Sequence, residues 1–222
     1  MCGRYTLGES QNLFRRFHVS EDGLAVAERF NVAPSQHMPV IIGGASNQIT
    51  LMQWGLIPSW SKDTKSSGGL INARVEGILD RPTFRTPIRK RRCLVPADGF
   101  YEWKKEEDLE HRVPYYIRRK DHQLFAFAGI YDVWHGPGGE VVEGYAVLTT
   151  RPNSLMEPIH KRMPVILEES AEPAWLDVQG ADIHSLLVKL ANPFPSEELE
   201  AFPISTKVNS PSLDFPGLLL PE

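Results

Sequence analysis

Cysteine is almost missing from this chain: Cys2 and Cys93 are the only two among 222 residues. Two thiols exclude a disulfide framework and any site built on several thiolates. The seven histidines are scattered, with no His-Glu-x-x-His pair and no close Cys/His spacing, so neither a metal nor another cofactor is expected. Long apolar runs are missing too. No stretch approaches the ~18 consecutive apolar residues of a membrane span. The first residues lack a basic stretch followed by an apolar run, so a cytoplasmic chain with no membrane contact is expected. There is no Gly-rich phosphate loop ending in Lys-Ser/Thr, no Gly-x-Gly-x-x-Gly and no Gly-x-Ser-x-Gly elbow. Excess positive charge is also absent. Lys and Arg number 24 against 28 Asp and Glu, a formal net charge of −4, which argues against a surface coated in positive charge for gripping nucleic acid.

What is present reads as a globular chain. Hydrophobic residues at 41% and charged residues at 23% are enough for a packed core, expected as a single domain over 1–222. Prolines and glycines are spread throughout, which favours short elements joined by tight turns. Residues 38–42 and 49–54 read as a strand pair around the Gly43-Gly44 turn. Further strands are expected at 93–95, 99–104, 115–118, 124–130 and 142–149, rich in Val, Ile, Tyr and Phe. Gly136-Pro137-Gly138-Gly139 reads as a hairpin tip. Helices are expected at 10–17 behind Ser10 as N-cap, at 73–79, at 172–178 and at 182–191. In the last, Ile183, Leu186, Leu187 and Leu190 share one face behind Asp182. The order of elements predicts an α+β fold: a curved antiparallel sheet or partly closed β-barrel with flanking helices.

Cys2 is the chemically distinctive residue. Removal of Met1 would leave a terminal cysteine with an amine and a thiol on adjacent carbons. Their reference pKa values of about 7.7–8.0 and 8.5 give both reactive fractions near neutral pH. Two chemistries are open. The thiol can act as a nucleophile with its own amine as base. Alternatively, the amine can form a Schiff base with an aldehyde, and the thiol can then close a five-membered thiazolidine ring.

Several motifs follow one another along the chain. They are Met1-Cys2-Gly3-Arg4-Tyr5, Asn31-Val32-Ala33-Pro34-Ser35, Trp54-Gly55-Leu56-Ile57-Pro58-Ser59-Trp60 and Ile71-Asn72-Ala73-Arg74-Val75-Glu76. Cys93-Leu94-Val95-Pro96-Ala97-Asp98-Gly99-Phe100-Tyr101-Glu102-Trp103 comes next, then Ile159-His160-Lys161-Arg162-Met163-Pro164 and Val208-Asn209-Ser210-Pro211. Taken together they resemble the SOS-response-associated peptidase (SRAP) family, the abasic-site processing proteins. The resemblance implies covalent capture of abasic sites in single-stranded DNA by a protein expected to be a monomer and nucleoid-associated when bound. It implies Cys2 as the linking residue, with Asn72, Glu102 and His160 around it. His160 and Glu102 would move the protons that open the abasic sugar, and Asn72 would hold the terminus or a sugar hydroxyl. Lys161 departs from the pattern, where relatives often carry an acid.

Each of these residues also has a plain structural explanation. Asn72 suits a helix N-cap, Glu102 a solvent-facing strand position beside the acidic turn at 106–108, and His160 a loop anchor. Residues 81–92 hold six Lys and Arg and no acid, a +6 segment that leaves −10 for the rest of the chain: a basic stripe that could track phosphates or, in the plain structural explanation, a solvated basic loop. Arg81 and Arg85 from this segment, with Arg4, Arg74 and Arg162 from the motifs, are the candidate phosphate contacts. Trp54, Trp60 and Trp103 are the candidate stacking surfaces, with Trp103 favoured and Trp54 and Trp103 chosen as site residues. Two other functions compete with DNA capture: a cysteine peptidase or amidohydrolase with an N-terminal nucleophile, and a non-catalytic single-strand binding module.

Overall fold

The computed structural model describes residues 2–20, 24–62, 69–106 and 111–222. Met1 and positions 107–108 of the acidic turn lie outside the described residues. Thirteen strands and four α-helices are present among them. The strands are β1 (Tyr5–Leu7), β2 (Arg29–Val32), β3 (His37–Ile42), β4 (Gln48–Trp54), β5 (Asn72–Arg74), β6 (Arg92–Ala97), β7 (Gly99–Lys104), β8 (Val113–Arg119), β9 (Phe125–His135), β10 (Val141–Thr150), β11 (Met163–Pro164), β12 (Ile166–Leu167) and β13 (Leu199–Pro203). The helices are α1 (Leu13–Phe17), α2 (Pro82–Lys90), α3 (Glu172–Leu176) and α4 (Ile183–Leu190).

The α+β expectation holds, and the barrel closes completely. β10, β4, β3, β6 and β9 pair in a ring that returns from β9 to β10. Four of the five seams are antiparallel, but β4 joins β10 in parallel, with Tyr145 opposite Trp54. β5 continues the parallel pairing along β10, setting Asn72 against Val147 and Arg74 against Thr149. The second sheet has the order β13-β8-β7-β1-β2. One residue, Asp98, separates β6 in the barrel from β7 in this sheet. The strand crosses that junction because Gly99 packs against the Tyr116 ring, where a Cβ would overlap it.

The buried residues explain both layers. β6 is buried at every position and, after Arg92, reads as an apolar run from Cys93 to Ala97, as expected for a strand covered on both faces. Tyr5, Trp54, Phe100 and Phe127 join β1 and β7 to the barrel wall in one apolar cluster. Tyr5 sits edge-on to Trp54 and Phe127, at 5.0 and 6.0 Å between ring centroids. Tyr101 and Tyr116 belong to a smaller cluster on the other face of the second sheet.

Three local expectations need correction. Residues 73–79 do not form an α-helix, and only a 3-10 turn at Ile78–Asp80 overlaps their end. Asn72 to Glu76 alternate between half-buried or exposed and buried positions, and β10 supplies a free edge that takes the period-two segment as β5. The basic segment 81–92 is no loop. Pro82 starts α2, whose Phe84, Pro87 and Ile88 face inward, leaving Arg81, Arg85, Arg89 and Lys90 exposed. Arg92 leaves that surface altogether. It is 2% exposed and donates from Nε and Nη2 at 2.6 Å to the carbonyls of Trp175 and Asp177 at the end of α3. Ser10 does not cap α1 either: its Oγ donates to Val26 O, and a short 3-10 turn precedes the helix. Asp182 behaves as expected, accepting from the His184 and Ser185 N–H groups at the start of α4.

The Gly99 contact yields a stability test. Gly99→Ala must displace Tyr116, whose hydroxyl pairs with Thr6 Oγ1 at 3.0 Å. The expected loss is about 3 kcal/mol, the upper part of the range for overpacking, read from urea denaturation midpoints.

Candidate active site at the N-terminal strand

The site starts from the register of β1. Tyr5 faces Phe100 and Thr6 faces Gly99 on β7, and the Tyr101 N–H donates to Arg4 O at 3.0 Å, carrying the pairing toward the terminus. This alignment draws Cys2 and Gly3 along the second half of β7, where Glu102 lies. Cys2 is fully buried, and its Sγ donates to Arg4 O at 3.5 Å. From the barrel side, Asn72 Nδ2 on β5 donates to Cys2 O at 2.8 Å. The residues before β1 are therefore held between the two sheets. Asn72 is a strand residue with its side chain committed to the terminus, so the N-cap explanation does not apply. Its Oδ1 is buried with no hydrogen-bond partner among the described residues.

Glu102 is 3% exposed, which removes the expectation of a solvent-facing strand residue. It shares the inward face of β7 with Phe100 because strand side chains alternate. His160 reaches it from the loop before β11. Asn153 organises that loop, accepting from Met156 N at 2.9 Å, and the His160 N–H then donates to Met156 O at 2.8 Å. His160 Nδ1 accepts from the Arg162 N–H at 3.1 Å and lies 3.8 Å from Glu102 Oε1. The Arg162 carbonyl, 3.0 Å from Nδ1, would accept from the protonated ring. Cys2, Asn72, Glu102 and His160 thus come together from four separate segments.

Electrostatics divides the protons among them. Burial pushes the Cys2 thiol well above its ordinary range, and the Glu102 charge adds to the effect. Burial also raises the Glu102 carboxyl, an effect partly offset by nearby positive charge that includes His160. A carboxyl raised in this way can hold a proton for an oxygen that is leaving and accept one from an ammonium. The thiol is stored protonated. Among the described residues no group of three His, Cys, Asp or Glu is placed to hold a metal ion.

The expected DNA contacts separate into three sets. Arg74, Arg81 and Arg85 are exposed. Arg4 and Arg162 are engaged by the protein itself. Arg4 donates to Asn31 Oδ1 at 2.7 Å and to the carbonyls of Val208 and Asn209 at 2.8 and 3.2 Å. Arg162 grips both oxygens of Glu76 at 2.7 Å and Thr149 O at 2.6 Å. Trp54 is fully buried, with Nε1 donating to Ile71 O at 3.0 Å, so it has no face to offer a base. Trp103 lies on the face of β7 opposite Glu102, partly exposed, with Nε1 donating to Asn209 Oδ1 at 2.7 Å.

Two residues outside the chosen site set stand out in the structure. Trp60 is 67% exposed, on a loop pinned at both sides. Asp132 accepts from Ser59 N at 2.9 Å, and Trp134 Nε1 donates to Ser61 O at 2.8 Å. Glu76 was visible only as the end of the alternating Asn72, Arg74, Glu76 pattern, and the helix expectation hid it.

The sequence model of the family described as SOS response associated peptidase (SRAP) matches residues 1–211. The chain is similar to abasic site processing protein YoqW of Bacillus subtilis, 42% identical over 224 residues and covering 99% of each chain. It is also similar to abasic site processing protein HMCES of Mus musculus, 31% identical over 230 residues, covering 86% of this chain and 64% of that one. A crystal structure of a protein from Bacteroides thetaiotaomicron superposes with a TM-score of 0.88 at 29% identity over the full length of both chains.

Glu102 gives a test that needs no substrate. Its folded-state pKa lies above an unfolded value of about 4.3. The ionised carboxylate therefore costs stability at neutral pH, and that cost vanishes as the pH falls below the unfolded value. Glu102→Gln should melt about 3 °C higher than the parent at pH 7.5, the shift that roughly 1 kcal/mol gives a chain of this length. The difference should close near pH 4 in thermal unfolding scans.

Proposed function

This chain belongs to the SOS response associated peptidase (SRAP) family, and from that premise we propose that it captures abasic sites in single-stranded DNA as a covalent adduct through Cys2. The observation that carries the reading is the convergence of Asn72, Glu102 and His160 on a buried Cys2. The names of the relatives support abasic-site DNA as the substrate class.

The chemistry follows from where the protons sit. Removal of Met1 frees the Cys2 amine. An abasic sugar is mostly a closed ring, and proton transfer by Glu102 and His160 opens it to the C1′ aldehyde. The amine attacks C1′, and the aldehyde oxygen leaves as water, giving an imine. The thiol then adds across the imine: sulfur bonds to C1′ and its proton ends on nitrogen. The product is a thiazolidine, formed with net loss of one water and no change in oxidation state, and it leaves no aldehyde to promote strand cleavage. The buried, protonated thiol suits this order, because it is needed only after the imine exists. A peptidase would need the thiolate first, which burial opposes.

Arg74, Arg81 and Arg85 offer guanidiniums to phosphates, and the partly engaged Arg4 and Arg162 adjoin the site. Trp60 and Trp103 offer partly exposed rings to unpaired bases. Trp54 is withdrawn from that role.

The decisive experiment mixes the protein, freed of Met1, with an oligonucleotide carrying one abasic site and resolves the products on a denaturing gel. A heat-stable adduct is expected, absent with Cys2→Ala and formed about 100-fold more slowly with Glu102→Gln. An adduct that survives Cys2→Ala would overturn the reading.

A further inference from the structure

Glu76 occupies a position at odds with a protein that binds a polyanion. Its two carboxylate oxygens take both terminal nitrogens of Arg162 at 2.7 Å, a planar fork that a phosphate fits equally well. Arg162 is 15% exposed and Glu76 49%, so the carboxylate is the outward, removable partner. Arg162 also keeps a second hold, on Thr149 O at 2.6 Å, which fixes the guanidinium whether or not Glu76 stays. Arg74 adds to the field on Glu76, whose carboxyl is held below its usual range first by the Arg162 hydrogen bonds. Glu76 is therefore ionised at neutral pH and faces two of the arginines nearest the capture site.

The surroundings give this position a direction. Glu76 lines one end of a groove of about 740 Å³ between α2 and α4, whose walls include Arg85, Arg89, His184, Leu187 and Val188. Glu76 and the exposed Arg85 and Arg89 thus line the same groove. Loss of the Glu76 contact would leave Arg162 with an open fork beside His160, two residues away.

We propose that Glu76 is a placeholder carboxylate: it fills the Arg162 fork in the free protein, and a DNA backbone phosphate displaces it. This rests on the reading that DNA enters at Arg162. The exchange makes each phosphate contact there compete with an internal anion. Ordinary single strands are thereby held weakly, and retention is left to the covalent step. Glu76 is in this sense a specificity-determining residue and not a catalytic one.

The salt dependence of binding separates this role from a structural one. When a phosphate displaces Glu76, the freed carboxylate takes up a cation, which cancels part of the counterion release. Glu76→Gln removes that uptake. Fluorescence anisotropy with an intact, labelled single strand of thymidines should show roughly five- to tenfold tighter binding for Glu76→Gln at 50 mM salt. The slope of log affinity against log salt should be steeper by about 0.7, the contribution of one further single-strand phosphate. In an Arg162→Gln background the Glu76→Gln gain should disappear. If the single variant binds equally or more weakly with an unchanged slope, Glu76 is a clamp retained in the complex and the proposal fails. The affinity and slope of Glu76→Gln decide the matter even if Arg162→Gln does not fold. The probe has no abasic site, so these results stand apart from the capture gel. A parent protein that binds the strand but forms no adduct defeats the capture reading alone, and one that does not bind it defeats the placeholder.

Discussion

The site depends on the insertion of one three-residue strand. β1 pairs with β2 on one edge and with β7 on the other, and without it β2 would be cut off from the sheet and β7 would keep only β8. The strand is too short to hold itself there by backbone hydrogen bonds alone, and side chains supply the rest. Tyr5 shares a hydroxyl contact of 2.7 Å with Tyr145 in the barrel wall. Arg4 reaches the carbonyls of Val208 and Asn209, near the other end of the chain. Asn31 fixes that far segment, with Nδ2 within hydrogen-bond distance of the carbonyls of Val208, Ser210 and Leu213. The strand that carries Cys2 is held in place by a segment about 200 residues away, so the site depends on the whole fold. The same clamp explains why Arg4 sits in a motif without being a free cation. Its charge is spent on holding the strand that carries Cys2.

Burial gives that placement a chemical consequence. A thiol in water has a reactive fraction near neutral pH whatever its partner. The Cys2 thiol, enclosed and beside Glu102, stays protonated, and the carboxyl beside it takes a raised pKa for the same reason. Low dielectric thus disfavours the early thiolate and favours a carboxyl able to pass protons back and forth. The residues that supply this environment come from β1, β5, β7 and the 153–162 loop, and no two of those segments adjoin in sequence.

That dispersal sets what could be read from the sequence. Strands with strong alternation or apolar runs were legible: 99–104 is matched at both ends by Gly99–Lys104, and α4 appears behind Asp182 as its leucine spacing required. The helix expected at 73–79 failed because Ala73 and Glu76 favour helix locally, while the open edge of β10 decided the outcome. The loop reading of 81–92 failed because charge density drew attention away from Phe84, Pro87 and Ile88 on the inward face. At the site, the four residues were visible only as members of an ordered motif set. Their meeting is tertiary: nothing local says that Asn72 would reach Cys2 O. Trp54 and Trp60 show the limit plainly. They share one motif, and burial, which spacing does not report, makes one a core residue and leaves the other exposed.

Charge completes the physical picture. The +6 of residues 81–92 and the motif arginines suggested a basic stripe, but the fold consumes much of it. Arg92 caps α3, Arg91 pairs with Asp132 beneath the Trp60 loop, Arg4 clamps the C-terminal segment and Arg162 holds Glu76. What remains outward is Lys90 and a short ladder at the start of and along α2, Arg81, Arg85 and Arg89, spaced four residues apart, with Arg74 near the site. A ladder of that size, on a chain of net charge −4, gives a local and salt-sensitive attraction and no general grip on nucleic acid. Under the proposed function, long residence on DNA comes from something ionic strength does not screen. On the proposed reading that is a carbon–sulfur and carbon–nitrogen ring, and the effort of the fold goes accordingly into enclosing Cys2 and not into coating the surface with cations.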